Sequence, residues 1–593
     1  MGRLVLAVAA SAALCVPSLA FAAQPRAVVD GDLDPALRAE IVAEVGEADR
    51  PIDNRFEAHR RARDAADAAT AVLRSEGYYA STVETEVGEG DAPVPHVHVT
   101  PGPRFTLAAP AIEWVGAAPT AADEAAAQKA LRLRPGAPGR AADVVGGEGR
   151  IIAALQQKGF ADAKAEPRQV VVDHADDSVQ PTYRIATGER VRLDGIQLTT
   201  KGRTKPLWVK SLAPWKSGQT YDPDLVAELE RRLLDPGVYN QVTVALAPAD
   251  QTTPDGLRPV VVSLSERKLR TIELGASYAS VEGFGLDLRW SHYNTLGRAD
   301  TLTYFARVSN IDSRLGVTLA LPHWRRPAQT LTLDTEAYKS NTPAYDQTGV
   351  LARADVQRRY GKTSYLSAGV SVDLSRTDEL KIGSLTPLGR DIATFALHGS
   401  GYLDRSDDAL DPKRGWRLTV SGDPSLLAGQ GTLPYLRLQT QISTYLPIDR
   451  FAHTVLAGRL HVGSLLSGGS NSDFPASQRF YAGGGGSVRG FSYQGVGPRL
   501  SDGTTPEGGL SLVEASAELR QHLFGAWGVV AFIDAGSVGT HQTPDFSNLS
   551  AGAGFGVRYQ LPFGPVRVDL ATPVANRQGA SPLQVYVSLG QSF

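Results

Sequence analysis

Cysteine is all but missing from the chain: its 593 residues hold one, Cys15, so no intramolecular disulfide and no set of thiolate metal ligands can form. Long apolar runs are missing too. No stretch of 18 or more uninterrupted apolar residues occurs, which excludes α-helical membrane spans. An excess of basic charge is also absent, with 60 Lys and Arg against 63 Asp and Glu, and nothing in that balance invites nucleic acid. No Gly-x-Ser-x-Gly elbow and no His-Glu-x-x-His helix is found, so an enzyme has no residues to stand on and no cofactor is expected. Two weaker signals lead to the same place. His96 and His98 share one face of a strand, but two ligands without a third read as a solvated face. Gly483 to Gly486 opens no helix and is followed by no Lys-Ser/Thr, so it reads as a flexible loop and not as a phosphate cradle.

What is present begins with a secretory signal. Arg3 supplies the positive start, Leu4 to Val16 an apolar stretch broken by Pro17, and Ala20-Phe21-Ala22 a small-x-small cleavage site. Cleavage after Ala22 leaves a chain without cysteine, with 59 basic against 63 acidic residues and a net charge of −4. Leu14 is too bulky beside Cys15 for a lipidation site. Export does not exclude an integral membrane protein, because a closed β-barrel satisfies its own backbone hydrogen bonds.

Between Arg26 and Arg267 three repeats can be aligned. Each has an amphipathic helix running into a glycine and an apolar or aromatic residue: Leu73 to Tyr79, Leu155 to Phe160, Leu234 to Tyr239. The glycines, Gly77, Gly159 and Gly237, step by 82 and 78 residues. Glycine past a helix end takes the left-handed cap at no steric cost, and the chain then turns into a strand. Two strand-like runs follow each cap: Thr82 to Val87 and His96 to Thr100, Ala163 to Asp173 and Thr182 to Ala186, Gln241 to Ala247 and Pro259 to Leu264. The third copy has the clearest helix start, with Asp222 as N-cap, Pro223 at the first position, and Leu225, Val226, Leu229 and Leu233 on one face. The second is weaker, because Gly146, Gly147 and Gly149 each cost about 1 kcal/mol inside a helix. A strand, two helices and a closing pair of strands make a small α+β domain with an exposed sheet edge.

After Arg267 the pattern changes to period two. Phe284, Leu286, Leu288 and Trp290 alternate with Gly283, Gly285, Asp287 and Arg289, and the alternation recurs at Trp416 to Val420, Phe555 to Leu561 and Val566 to Leu570. A soluble β-sandwich alternates as well. Three facts favour a transmembrane barrel: 327 residues without a helical pattern, charges recurring on the inward face, and a last strand in which Leu583, Val585, Val587, Leu589 and Phe593 share a face. At about 20 residues per strand and turn, there is room for roughly 16 antiparallel strands.

The loop Arg479-Phe480-Tyr481-Ala482-Gly483-Gly484 followed by Ser487-Val488-Arg489-Gly490-Phe491, and the strand Phe532-Ile533-Asp534-Ala535-Gly536, resemble the BamA/TamA superfamily of outer-membrane assembly and secretion barrels. Glu518-Leu519-Arg520, Gly564 to Asp569 and Asp411 to Trp416 resemble further motifs of that family. The resemblance implies three POTRA domains at 23–102, 103–187 and 188–266 after a signal peptide at 1–22, and an outer-membrane barrel at 267–593. It implies that the loop of Val488, Arg489, Gly490 and Phe491 folds back into the lumen, where Arg489 pairs with Asp534. Three repeats resemble the TamA type, whose partner is the inner-membrane-anchored TamB; there is neither a further repeat nor room for a plug helix before Val28. The implied role is insertion or secretion of unfolded outer-membrane clients such as autotransporters, from a barrel set in outer-membrane lipid with its POTRA domains in the periplasm. Clients would add a strand at a seam between Thr271 to Tyr278 and Gln584 to Phe593, where Ser588, Gly590 and Ser592 keep one face of the last strand small. The alternatives are a two-partner-secretion transporter with one dedicated substrate, and a passive porin.

Overall fold

A computed structural model describes residues 24–589, apart from 49, 51, 53, 90–92, 280–282, 362, 430, 547, 562–563 and 578–581. The signal segment 1–22 and, on the last strand, Gly590, Ser592 and Phe593 lie outside the described residues.

The chain divides into two compact units, the first made of the residues up to Asp194 with Trp215–Val226 and Ala247–Pro259, the second of Gly195–Pro214, Ala227–Leu246 and Val260 onward. In the first unit β1 (Gln24–Pro25) pairs with β3 (Glu47–Ala48), while β2 (Val28–Asp30), β4 (Thr82–Val87) and β5 (Pro95–Thr100) form a sheet in the order β2, β5, β4. Helices α1 (Pro35–Val45) and α2 (Arg55–Ser75) cover it, burying Ile41, Ala69 and Leu73 against Val97 and Val99. The second repeat is built alike. Around β9 (Ser178–Ala186) lie β6 (Thr106–Leu107), β7 (Ala111–Trp114) and β8 (Lys164–Asp173), with α3 (Ala121–Leu131) and α4 (Ala141–Gln156) packed through Leu131, Ile151 and Leu155.

Of the glycines that weaken α4 in isolation, Gly147 has a packing reason, while a Cβ on Gly149 would meet open space. A Cβ on Gly147 would come within 2.7 Å of the Tyr183 hydroxyl, which donates to the Val144 carbonyl across the same gap. Burial pushes that phenol up to about 12, so it stays a donor. The three repeat glycines take the left-handed conformation, with φ of 95° at Gly77, 98° at Gly159 and 66° at Gly237. In the third repeat β10 (Leu193–Leu198), β12 (Arg258–Glu266) and β11 (Tyr239–Leu246) form the sheet, with α5 (Pro206–Ser211) and α6 (Pro223–Leu234). Asp222 caps α6 by accepting from the Asp224 amide, and the helix buries Val226, Leu229 and Leu233.

The rest of the second unit is one sheet of 16 antiparallel strands, each hydrogen-bonded to the next in chain order. They are β13 (Arg270–Ala279), β14 (Gly283–Tyr293), β15 (Thr301–Val308), β16 (Asp312–Leu321), β17 (Gln329–Asn341) and β18 (Tyr345–Tyr360). Then come β19 (Ser364–Leu380), β20 (Pro387–Asp404), β21 (Gly415–Gly429), β22 (Gly431–Pro447) and β23 (Thr454–Ser467). The last five are β24 (Ser511–His522), β25 (Trp527–Gly539), β26 (Ser550–Leu561), β27 (Gly564–Ala575) and β28 (Gln584–Leu589). β13 and β28 return alongside each other, which closes the barrel.

The alternating residues face outward. Leu274 is 82% exposed, Phe555 74%, Phe284 57% and Leu286 53%, and similar side chains recur on almost every strand. An apolar surface of that extent excludes an aqueous surround and fits a bilayer.

Candidate functional site

The loop between β23 and β24 is the longest connection of the barrel, and it lies inside. Phe474, Phe480, Val488, Phe491, Val496 and Leu510 are buried against Leu465, Leu512 and Val538 of the wall. Such a loop brings its own hydrophobic core into the lumen, and its polar tip is thereby taken out of water.

At that tip Arg489 is 2% exposed and faces Glu518, Asp534 and Asp569, each fully buried. The guanidinium donates to Asp534 twice, from Nε at 2.6 Å and Nη2 at 2.9 Å, and the Arg489 amide donates to the same carboxylate at 3.1 Å. Nη2 also lies 2.8 Å from Glu518, Nη1 donates to Asp569 at 3.2 Å, and the Phe532 ring centre is 3.5 Å from Cζ. The sequence pairs Arg489 with Asp534; the structure adds two more carboxylates from neighbouring strands. Arg520 bonds Glu518 at 2.9 Å and Arg558 bonds Asp569 at 2.5 Å, so two of the three acids are shared with a second arginine, while Asp534 is held by Arg489.

The glycines of the two motifs make room for this contact. Gly490 has φ 99° and its missing Cβ would stand 3.0 Å from the Thr572 carbonyl; on Gly536 a Cβ would meet the Val488 side chain at 2.6 Å. The strand interior thus sits directly against the loop backbone.

The seam residues fall on the two ends of the sheet. Thr271 and Tyr278 are on β13 and Gln584 is on β28. Among the described residues no hydrogen-bonded register joins β13 to β28, of which Gln584–Leu589 is described. The inward face of that last strand is not uniformly small, as its serines and glycine suggest. Tyr586 is buried there, and its hydroxyl donates to the Phe491 carbonyl at 2.8 Å and accepts from the Gly490 amide at 3.1 Å. A large inward side chain is tolerated because the loop tip supplies the cavity and both hydrogen-bond partners. Next to it Ser588 accepts from Arg567, whose Nη2 reaches the Gly485 carbonyl at 3.4 Å. The loop that sequence motifs identify is therefore fastened to the strand at the seam, through a tyrosine that no motif marks.

A second polar cluster joins the third repeat to the barrel turn at 294–300. Asn294, in the left-handed region at φ 53°, donates to Thr204 at 2.7 Å and to Glu266 at 3.0 Å. Thr204 donates its hydroxyl proton to Glu266 at 2.9 Å, which leaves it to accept from Tyr239 at 3.1 Å. Burial pushes the Glu266 carboxyl up, but hydrogen bonds from Thr204 and Arg203 outweigh it and hold the group below the usual carboxylate range. Away from this cluster, His96 is held by Asp30 at 2.7 Å, and among the described residues no three His, Cys, Asp or Glu gather as a metal site.

Residues 294–593, just over half of the chain, match the Omp85 superfamily domain, and the chain belongs to that superfamily. It is 22% identical over 428 residues to the outer membrane protein assembly factor BamA of Neorickettsia risticii (strain Illinois), covering 68% of this chain and 55% of the relative. To BamA of Neisseria meningitidis serogroup B it is 22% identical over 479 residues, covering 70% of this chain and 58% of that one. The chain thus spans little more than half the length of these relatives. The crystal structure of BamA from Haemophilus ducreyi lacking POTRA domains 1-3 superposes with a TM-score of 0.70 at 18% identity, over 82% of this chain and the whole of that one, a likeness of fold.

Proposed function

We propose that the chain is an outer-membrane assembly factor of the TamA type, which inserts or secretes unfolded outer-membrane clients such as autotransporters without catalysis. Its three repeats are POTRA domains that hang in the periplasm and receive clients, or a TamB-like partner anchored in the inner membrane, at their open sheet edges. One observation carries the reading: the 16-stranded sheet has two ends, β13 and β28, with no ladder joining them among the described residues. Where a seam is not laddered, its backbone N–H and C=O groups are left for a client strand to pair with. A porin closes that seam, and a transporter for one dedicated substrate uses the lumen instead.

The test is a disulfide engineered across the seam, clean in a chain whose one cysteine, Cys15, falls within the signal segment. In vesicles, oxidised protein should fold normally and stop assembling an autotransporter client, and reduction should restore assembly. Assembly that proceeds unchanged in the crosslinked protein would refute the seam mechanism.

A further inference from the structure

A cavity of about 420 Å³ lies in the second unit where α5 meets the barrel turn between β16 and β17. Its lining carries four cations, Lys205, Arg298, Arg325 and Arg326, two tryptophans, Trp208 and Trp324, and no acidic side chain. Among the described residues none of the four cations is in an ion pair, although most arginines of the lumen are. The guanidinium of Arg325 lies 4.4 Å over the Trp324 ring, and Trp208 approaches His323, whose Nε2 is held 2.7 Å from the Arg232 carbonyl. Lys205 is fixed beside the neighbouring turn through its amide, which donates to the Gly297 carbonyl at 2.9 Å.

The level of this cavity is set by the strand that leads to it. Down the outer face of β16 run Leu315, Val317, Leu319 and Leu321, and the chain then passes through Pro322 and His323 to Trp324, Arg325 and Arg326. Apolar side chains giving way to tryptophan and then to arginine mark where hydrocarbon ends and headgroups begin. Opposite them on α5, Leu207 is 82% exposed. A soluble anion or an acidic peptide would satisfy the cations and leave Leu207 in water; a lipid satisfies both.

We infer that this cavity binds the headgroup of an anionic phospholipid, with Lys205, Arg325 and Arg326 on the phosphate and Leu207, Trp208 and Trp324 against the upper acyl chain. The inference rests on the proposed orientation in one respect, that the POTRA side of the barrel faces the periplasmic leaflet. Cations that meet no carboxylate favour such a lipid over a zwitterionic one through charge, and the adjoining apolar surface holds it in the bilayer plane.

The test is native mass spectrometry of the full chain in detergent micelles, titrated with phosphatidylglycerol or phosphatidylcholine. Wild-type protein should retain phosphatidylglycerol about tenfold better. The triple variant K205Q/R325Q/R326Q, its barrel folding checked by heat-modifiable gel mobility, should bring the ratio to near one. Glycerol 3-phosphate should not compete; if it does, the site takes a free phosphate and the lipid assignment is wrong. Equal retention of the two lipids by wild type, or an unchanged ratio in the folded triple variant, overturns the proposal, as does an acidic peptide that displaces bound lipid. If the triple variant fails to fold, Leu207→Asp serves in its place and should lower retention of phosphatidylglycerol. Because no client takes part, a failed assembly assay would count against the proposed function and leave this result standing.

Discussion

Two walls of the same barrel carry the same kinds of charge and use them differently. On β14 and β15, Arg307 bonds Asp287 at 2.7 Å, yet the two side chains are 50% and 29% exposed to the lumen. On β24, β25 and β27 the acids that meet Arg489 at 2.6 to 3.2 Å are fully buried. Contact distance does not separate the two cases; water does. The long loop displaces solvent from the strands it covers, and so turns that part of the wall into protein interior, where each charge has lost its hydration and depends on its partners. The solvated pair keeps its hydration, is screened by salt, and contributes little.

The largest effect expected from this difference follows Arg489→Ala. It leaves three buried carboxylates one cation short, and loss of one partner from such a cluster costs about 3–5 kcal/mol. The urea midpoint of the barrel in micelles, followed by gel mobility, should fall accordingly, and Arg489→Lys should recover only part because one ammonium cannot reproduce the fork. A midpoint unchanged in Arg489→Ala would mean that the loop side is wet after all.

Next in size comes Tyr586→Phe. It removes one hydroxyl from between Gly490 and Phe491 and leaves a buried amide and carbonyl without partners, a loss of about 1–3 kcal/mol. The sharper readout is local. The loop tip should become accessible to protease while the remaining wall keeps its stability, since only the tie between loop and last strand is cut. If the tip stays protected, Tyr586 fills space and fastens nothing.

How much of this was legible in the sequence depended on whether the signal was periodic. Alternation of outward apolar residues points to the barrel, because a lipid-facing wall must repeat every second residue, and the length of the region at about 20 residues per strand and turn gives the strand number. The three glycine caps give the repeats for an equally local reason. Arg489 and Asp534 are found through motif resemblance, whereas Glu518 and Asp569, though on motif strands, are not joined to Arg489: they lie 29 and 80 positions away, and only the sheet brings them together. Tyr586 is invisible to the same reading, since on a strand judged by its outward Val585 and Val587 an inward tyrosine has no meaning until the loop reaches it. Gly147 of α4 misleads for a similar cause, as its packing partner, Tyr183, comes from another element.

A smaller effect is expected at Glu266, where the surroundings are intermediate between the two walls. Its carboxyl is held below the usual range in the folded state, so its contribution is complete above the unfolded value near ~4.3 and is lost as pH falls through the lower folded value. Glu266→Gln should cost about 1 kcal/mol at neutral pH. Between pH 6 and 3 the wild-type protein should lose its advantage, and the two unfolding curves should converge at the acid end. Curves that stay parallel would show that Glu266 is not ionised in the folded cluster with Thr204 and Asn294.

The smallest effect completes the comparison from its other side. Asp287→Asn breaks the solvated ion pair with Arg307, and an exposed pair is worth about 0.2–1 kcal/mol. The midpoint in micelles should barely move, and whatever shift is seen at low salt should vanish in ~1 M salt, where the screening length is about 3 Å. Arg489→Ala, by contrast, should keep its deficit at high salt because ions do not reach a dry cluster. Were Asp287→Asn to cost as much as Arg489→Ala, or Arg489→Ala to become salt-sensitive, the division into a wet and a dry wall would fail. The loop would then be a lid over an ordinary aqueous lumen, with no charge cluster to hold it against the strands beside the seam.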